Sequence, residues 1–367
     1  MNDIPHKDLE KLFYFPVCSQ DEIERIFNVQ NINDYLLKLR ADTIVDNMRL
    51  FRVYRNKAIA NEKNWSLEKS FSTDHFDKFL QYAKPDVREK CKEVCAGNIF
   101  STDPNGQIFS SEKGNLITIC DSLNFFLKFM NLGLMDFGDR VPLHVMINSM
   151  RIAIRVMLQT EALDFYMDPR GILPTDIGDA IHSTIPNQMQ FIAGHEYAHH
   201  VLGHLDKQKL IDKPILKAIF KKDKDYRLEK AYNYSQKDEF EADEHSILLC
   251  EYDMQEKIFV FESALYWFAS LDLYEAIDNM ISPPMGFQTH PPSRDRFENL
   301  MEKIEMPDGY DYNKWNGLLK NIDNYKKFFI EDVTLNIENY EFYGSVYLDK
   351  PNSEWRGKEL IDRVDFY

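Results

Sequence analysis

Apolar and charged positions alternate along the first hundred residues with a regular beat. In residues 21–27, 31–54 and 75–95 apolar side chains return every three or four positions, the period of helices with one buried face. The stretch 1–114 is therefore expected to be a helical N-terminal region. Within it Arg49, Arg52, Arg55 and Lys57 form a short basic run expected to be a solvated helix face. The beat breaks at 96–114, where the Asn105-Gly106 and Lys113-Gly114 turn signals flank short β-prone runs. Residues 115–120 (NLITIC) are β-branched and short, which predicts a strand, followed by a helix over about 121–132. Whether that strand is an ordinary core strand or an edge that could take up an extended peptide is open at this point.

Helical spacing resumes over 141–167. A loop over 168–183 is expected from Pro169, Gly171, Pro174 and Gly178. The next helix is predicted to begin with Thr184 as cap and Pro186 in its first turn, and to carry a stripe of Phe191, Ala198, Leu202 and Leu205. A lysine-rich stretch at 207–236 predicts a mobile loop with a short helix. Ser235 followed by Asp238 marks a further helix start, and 256–280 reads as a long, largely buried helix. A proline-rich loop (Pro283, Pro284, Gly286) then leads to Thr289, His290, Pro291 and Pro292 and a last amphipathic helix. Beyond about residue 321 the β-prone runs 333–337 and 342–348 predict a small hairpin or sheet. The expected class is α+β, predominantly helical, divided into the N-terminal region, a central domain at 115–305 and a C-terminal extension at 306–367 with a small β element.

Composition narrows the partners. The 367 residues include enough apolar side chains, 44%, for a sizeable core. A net charge of −16 leaves no basic patch to displace counterions, which argues against nucleic acid and an anionic membrane surface. The five scattered cysteines do not form a secreted disulfide framework and are expected to be free thiols. No apolar run is long enough to span a membrane, and the N-terminus lacks the features of a signal peptide, so a cytoplasmic location is expected.

Candidate chemistry is concentrated in the helix at 188–205. His195, Glu196 and His199 stand in the spacing H-E-x-x-H. On a helix, residues four apart lie about 40° apart around the axis, so both imidazoles can face one point. Neutral imidazoles suit Zn²⁺, and Glu196, one position after the first ligand, can reach a metal-activated water as general base. A catalytic zinc takes three protein ligands, and the best third donor is Glu239. Asp243, one turn further on, is placed to accept a hydrogen bond from a ligating histidine. Carboxylates in a first helical turn also complement the helix dipole, which is the competing explanation for this segment. His204, five residues after His199, His200 and His245 are less well placed as ligands.

These three segments, HEYAH, EFEAD and THPPSRDR, resemble the gluzincin zinc peptidases that include the HtpX-type heat-shock protease and the CAAX prenyl-protein protease. A Lit-type phage-exclusion protease is similar in carrying H-E-x-x-H without membrane spans. The resemblance covers roughly 115–304 and implies a zincin-like metallopeptidase core with a small sheet and an active-site helix. It implies His195, His199 and Glu239 as zinc ligands, Glu196 as catalytic base and Asp243 as a support. It further implies that His290 helps stabilise the developing oxyanion and that Arg296 holds the His290 loop by an ion pair. The expected activity is zinc-dependent endopeptidase action on a protein or peptide substrate. The alternative is a regulatory or interaction protein of the same fold, stabilised by zinc without proteolytic turnover.

Overall fold

The charged and apolar alternation near the N-terminus becomes a run of short helices: α1 (His6–Tyr14), α2 (Gln20–Phe27), α3 (Ile32–Val45), α4 (Met48–Ala60), α5 (Asp74–Tyr82) and α6 (Pro85–Cys91). In α2 a reciprocal cap forms between Ser19 and Glu22, while Asn31 and Asn47 accept backbone N–H groups at the starts of α3 and α4. Each satisfies donors that the first turn would otherwise leave open. This computed structural model describes residues 6–101, 104–207, 210–214, 228–232, 234–282, 290–348 and 358–361.

Three strands follow, β1 (Cys95–Ile99), β2 (Gly106–Ser111) and β3 (Gly114–Cys120). They join β4 (Leu210–Pro214) and β5 (Leu228–Tyr232) in a five-stranded sheet of order β1-β3-β2-β5-β4. β1 runs parallel to β3, and β2 folds back on β3 as a hairpin that closes at Ser111 and Gly114. The predicted strand at 115–120 is thus interior, paired on both sides. β2 is interior as well, between β3 and β5, which it meets at Phe109 and Ala231, and its residues Gly106 and Gln107 line the cleft. The position between residues 114 and 115 falls inside this hairpin.

Long helices build the core beside the sheet: α7 (Leu123–Leu134), α8 (Leu143–Met157), α9 (Thr175–Val201), α10 (Gln236–Leu248), α11 (Met254–Ile281), α12 (Ser293–Lys303) and α13 (Asn313–Leu335). Aromatic contacts tie them together. Phe191 on α9 meets Phe268 on α11 edge to face at 5.6 Å, and Phe126 on α7 meets Trp267 at 5.8 Å. Burying each such ring is worth about 1.5–3 kcal/mol. After a short α14 (Glu338–Glu341), β6 (Ser345–Tyr347) pairs antiparallel with β7 (Lys358–Ile361), which is a small C-terminal sheet. The class is α+β and mostly helical. Among the described residues no helix is long and apolar enough to cross a membrane.

Several local expectations differ from the structure. The helix that carries His195 and His199 starts at Thr175 rather than Thr184, so much of the expected loop at 168–183 is helical and Pro186 lies inside α9. Ile177 and Ile181 are buried on this extension, and that burial outweighs the single hydrogen bond a proline removes. Thr184 does not cap; its hydroxyl donates back to the Ala180 carbonyl. The helix predicted over 141–167 ends at Met157, where Gln159 takes a left-handed φ of 60° and turns the chain. Within the lysine-rich stretch, residues 210–214 and 228–232 are strands β4 and β5; residues 208, 209, 215–227 and 233 lie outside the described residues, as does the loop 283–289. Residues 333–335 belong to α13, because Val333 continues the buried face of Trp315, Leu318, Ile322 and Phe329.

Candidate metal centre

Two helices bring the chemistry together. α9 packs closely on α5 and α10 through Gly194, where an added Cβ would lie 2.8 Å from Phe79 and 3.1 Å from the Ser246 carbonyl oxygen. The next residue, His195, and His199 one turn later both face α10 and are buried. α10 begins with a reciprocal cap between Ser235 and Asp238, which places Glu239 in the first turn and Asp243 in the second on the same face. Both carboxylates are buried.

The donor atoms converge. His195 Nε2 and His199 Nε2 are 3.1 Å apart, and Glu239 comes within 3.5 Å of the first and 3.6 Å of the second. Metal–ligand bonds of about 2.0–2.1 Å in a tetrahedral shell set donors about 3.3 Å apart, close to these separations, of which the Glu239 pair run to its two different oxygens, Oε2 toward His195 and Oε1 toward His199. Among the described residues no group gives either Glu239 oxygen a well-formed hydrogen bond. His290 Nδ1 stands 2.8 Å from Oε2 in poor alignment, so that contact is mainly electrostatic. A buried carboxylate with both oxygens short of a hydrogen bond can still accept a cation, although His290, His195 and Arg296 already bring positive charge near it.

The charge states of Glu239 and His199 favour the same use, and that of His195 opposes it. Burial pushes the Glu239 carboxyl up, but the nearby His290 and His195 outweigh it and hold it well below the usual carboxylate range. Burial and the neighbouring His195 keep His199 neutral, well below the usual imidazole range. Burial also opposes charge on His195, yet Asp243 and Glu239 overcome it and raise that ring to about 10. A cation held there would compete with a proton for the His195 ring.

Supporting contacts extend outward. Asp243 Oδ1 lies 2.8 Å from His195 Nδ1. Arg296, at the start of α12, donates to both oxygens of Asp243 at 2.7 and 2.6 Å and lies over the Phe268 ring. The carboxylate partner of Arg296 among the described residues is Asp243 on α10, with Glu239 Oε2 at 3.6 Å; residues 283–289 of the His290 loop that it was expected to hold lie outside the described residues. His290 lines the cleft beside Glu239, and the residues just before it lie outside the described ones. His200 turns away to the Lys90 carbonyl and His245 to the Glu241 carbonyl.

Glu196 is buried in the same cleft. Its carboxylate occupies the room left by Gly106 on β2: a Cβ there would fall 2.3 Å from Oε1. Sequence reasoning missed Gly106, although the Asn-Gly turn signal pointed to that position for another reason. It also missed Tyr234, whose ring stacks on His199 with centroids 3.6 Å apart, and the part played by His204, whose Nδ1 is 3.0 Å from His199 Nδ1. In comparisons with models of known protein families, with curated proteins and with solved structures, nothing matches this chain.

Proposed function

We propose that this chain is a zinc-dependent endopeptidase with a zincin-like core, hydrolysing peptide bonds in a protein substrate. The observation that carries the reading is the convergence of His195, His199 and Glu239 on one point in a cleft that also holds Glu196. Those three side chains would hold the ion. When bound, zinc supplies a Lewis acid and an acidified water in one place.

The protein's own groups do the rest. Glu196, confined between α9 and β2, takes the proton from the attacking water and later hands it to the leaving amine. Asp243 holds the His195 ring by its Nδ1–H and fixes its tautomer, and Arg296 holds Asp243 in turn. His290, half-buried at the cleft rim, is the group available to donate toward negative charge developing on the substrate carbonyl oxygen.

Replacing Glu196 by Gln should leave zinc content at one ion per chain and lower peptide hydrolysis by at least about 10²-fold. Mass spectrometry of a peptide library incubated with each protein reads the products, and elemental analysis reads the zinc. Product formation by Glu196→Gln at the wild-type rate would refute the assignment of the base. Chelation should lower the melting temperature and added Zn²⁺ should restore it. That thermal response without cleavage by the wild type would instead favour a zinc-stabilised regulatory protein.

A further inference from the structure

His195 is backed by a carboxylate, whereas His199 has a different kind of neighbour. Its Nε2 faces His195 and Glu239, so an ion held there would take the lone pair on Nε2 and the ring proton would sit on Nδ1. What faces Nδ1 at 3.0 Å is the Nδ1 of His204. Only one of two such nitrogens can carry the shared proton, so His204 accepts at Nδ1 and bears its own proton on Nε2. That Nε2 points to Glu241 Oε2 at 3.3 Å, with Asp238 Oδ1 at 3.9 Å.

The local chain is built for this placement. α9 ends at Val201, and Gly203 takes a left-handed φ of 73° that ends the helical path. The short helical turn His204–Lys207 follows, and its first residue is swung back over the last turn of α9 and buried. His204 meets the His199 ring edge-on, with centroids 5.1 Å apart, while Tyr234 stacks on that ring at 3.6 Å. Glu241, which lies off the Glu239–Asp243 face of α10, thereby gains a role that its position on the helix alone does not suggest.

The geometry points to His204 as the residue that positions the zinc ligand His199, accepting a hydrogen bond from its Nδ1 and donating from Nε2 to Glu241. This inference rests on the metal reading given above. It makes His204 a positioning residue, and it is separable from a ring that merely fills space. Phenylalanine keeps the ring and loses both nitrogens. Asparagine loses the ring but can set its amide oxygen near the place of Nδ1, where it can accept the same hydrogen bond.

The test is Zn²⁺ affinity of the full chain, measured by competition with a chromophoric chelator, together with the visible absorption of the Co²⁺-loaded protein. His204→Phe should weaken Zn²⁺ binding by about 10- to 100-fold and shift the cobalt bands, and His204→Asn should recover most of both. A space-filling role predicts the reverse order. Wild-type affinity in His204→Phe, or equal losses in the two variants, overturns the inference. Imidazole nitrogen NMR of the zinc-loaded wild type needs no substitution: a proton on His204 Nε2 and on His199 Nδ1 is expected, and a proton on His204 Nδ1 overturns it. If the wild type binds no Zn²⁺, the metal reading falls and takes His204 with it. If the wild type binds and His204→Phe binds equally well, only the role of His204 falls.

Discussion

Gly106 stands where any side chain would strike Glu196. The clash in Gly106→Ala would run from the Glu196 carboxylate back to Cγ, with distances of 2.3 to 2.8 Å, so the buried side chain must leave its place between α9 and β2. Stability should fall by about 1–3 kcal/mol, the usual cost of overpacking a buried site. A misplacement of about 1 Å at the reacting groups costs about 10²-fold in rate, so peptide hydrolysis should fall by that order while zinc content holds. Full activity in Gly106→Ala would remove the structural basis for placing Glu196 as base. The contrast with His195 and His199 shows what a sequence can reveal about a site. Residues four apart on one helix declare a shared face, and the same rule reached Glu239 and Asp243. His204 escaped it because Gly203 takes the chain off the helix before the count of residues can mean anything. Arg49 escaped for a similar reason: it sits in a basic run expected to be solvated, yet it is buried against Asp164, 115 positions away. Pairings of that range leave no local mark.

At the scale of elements, burial decided where local signals conflicted. Thr184 and Pro186 are strong start signals, but α9 runs through them because Ile177 and Ile181 on one side and Met189 through His199 on the other are buried together. The start of α10, by contrast, was legible, since Ser235 and Asp238 satisfy each other's backbone and side-chain groups without help from elsewhere. That cap matters beyond the helix, because Glu239 lies in the turn it secures. Ser235→Ala should lower the stability of the metal-free protein by about 1 kcal/mol, read by urea denaturation. It should also weaken Zn²⁺ binding modestly, because a frayed first turn must be ordered again when the ion binds. An unchanged urea midpoint and unchanged affinity would mean that packing on α9, rather than the cap, positions Glu239.

Across the whole molecule, distant parts of the chain meet in a buried ionic cluster that is separate from the cleft. Arg155 and Arg170 are fully buried, and each donates to one oxygen of Glu161 at 2.9 Å. Arg170 also donates to Asp164 at 2.6 Å, and Arg49 from α4 donates to the other oxygen of Asp164 at 3.1 Å. On the C-terminal side, Arg155 donates to the carbonyls of Asn339 and Phe342, and the Val346 N–H donates to Glu161. The helical N-terminal region, the turn after α8 and the C-terminal β6 are thereby fixed to one carboxylate pair. Desolvating so many charges gives little net stability while the set is complete, but removing one member leaves opposite charge buried without a partner. Glu161→Gln keeps the shape and deletes one negative charge facing two guanidinium groups. It should cost about 3–5 kcal/mol in urea denaturation, with little relief from added salt because the cluster is shielded from solvent ions. Zn²⁺ affinity of the folded fraction should stay at the wild-type value, since none of these side chains touches the His195–His199–Glu239 group. A loss below about 1 kcal/mol would show that backbone packing alone holds the termini together. A parallel loss of Zn²⁺ affinity would show that the cluster and the cleft are mechanically coupled.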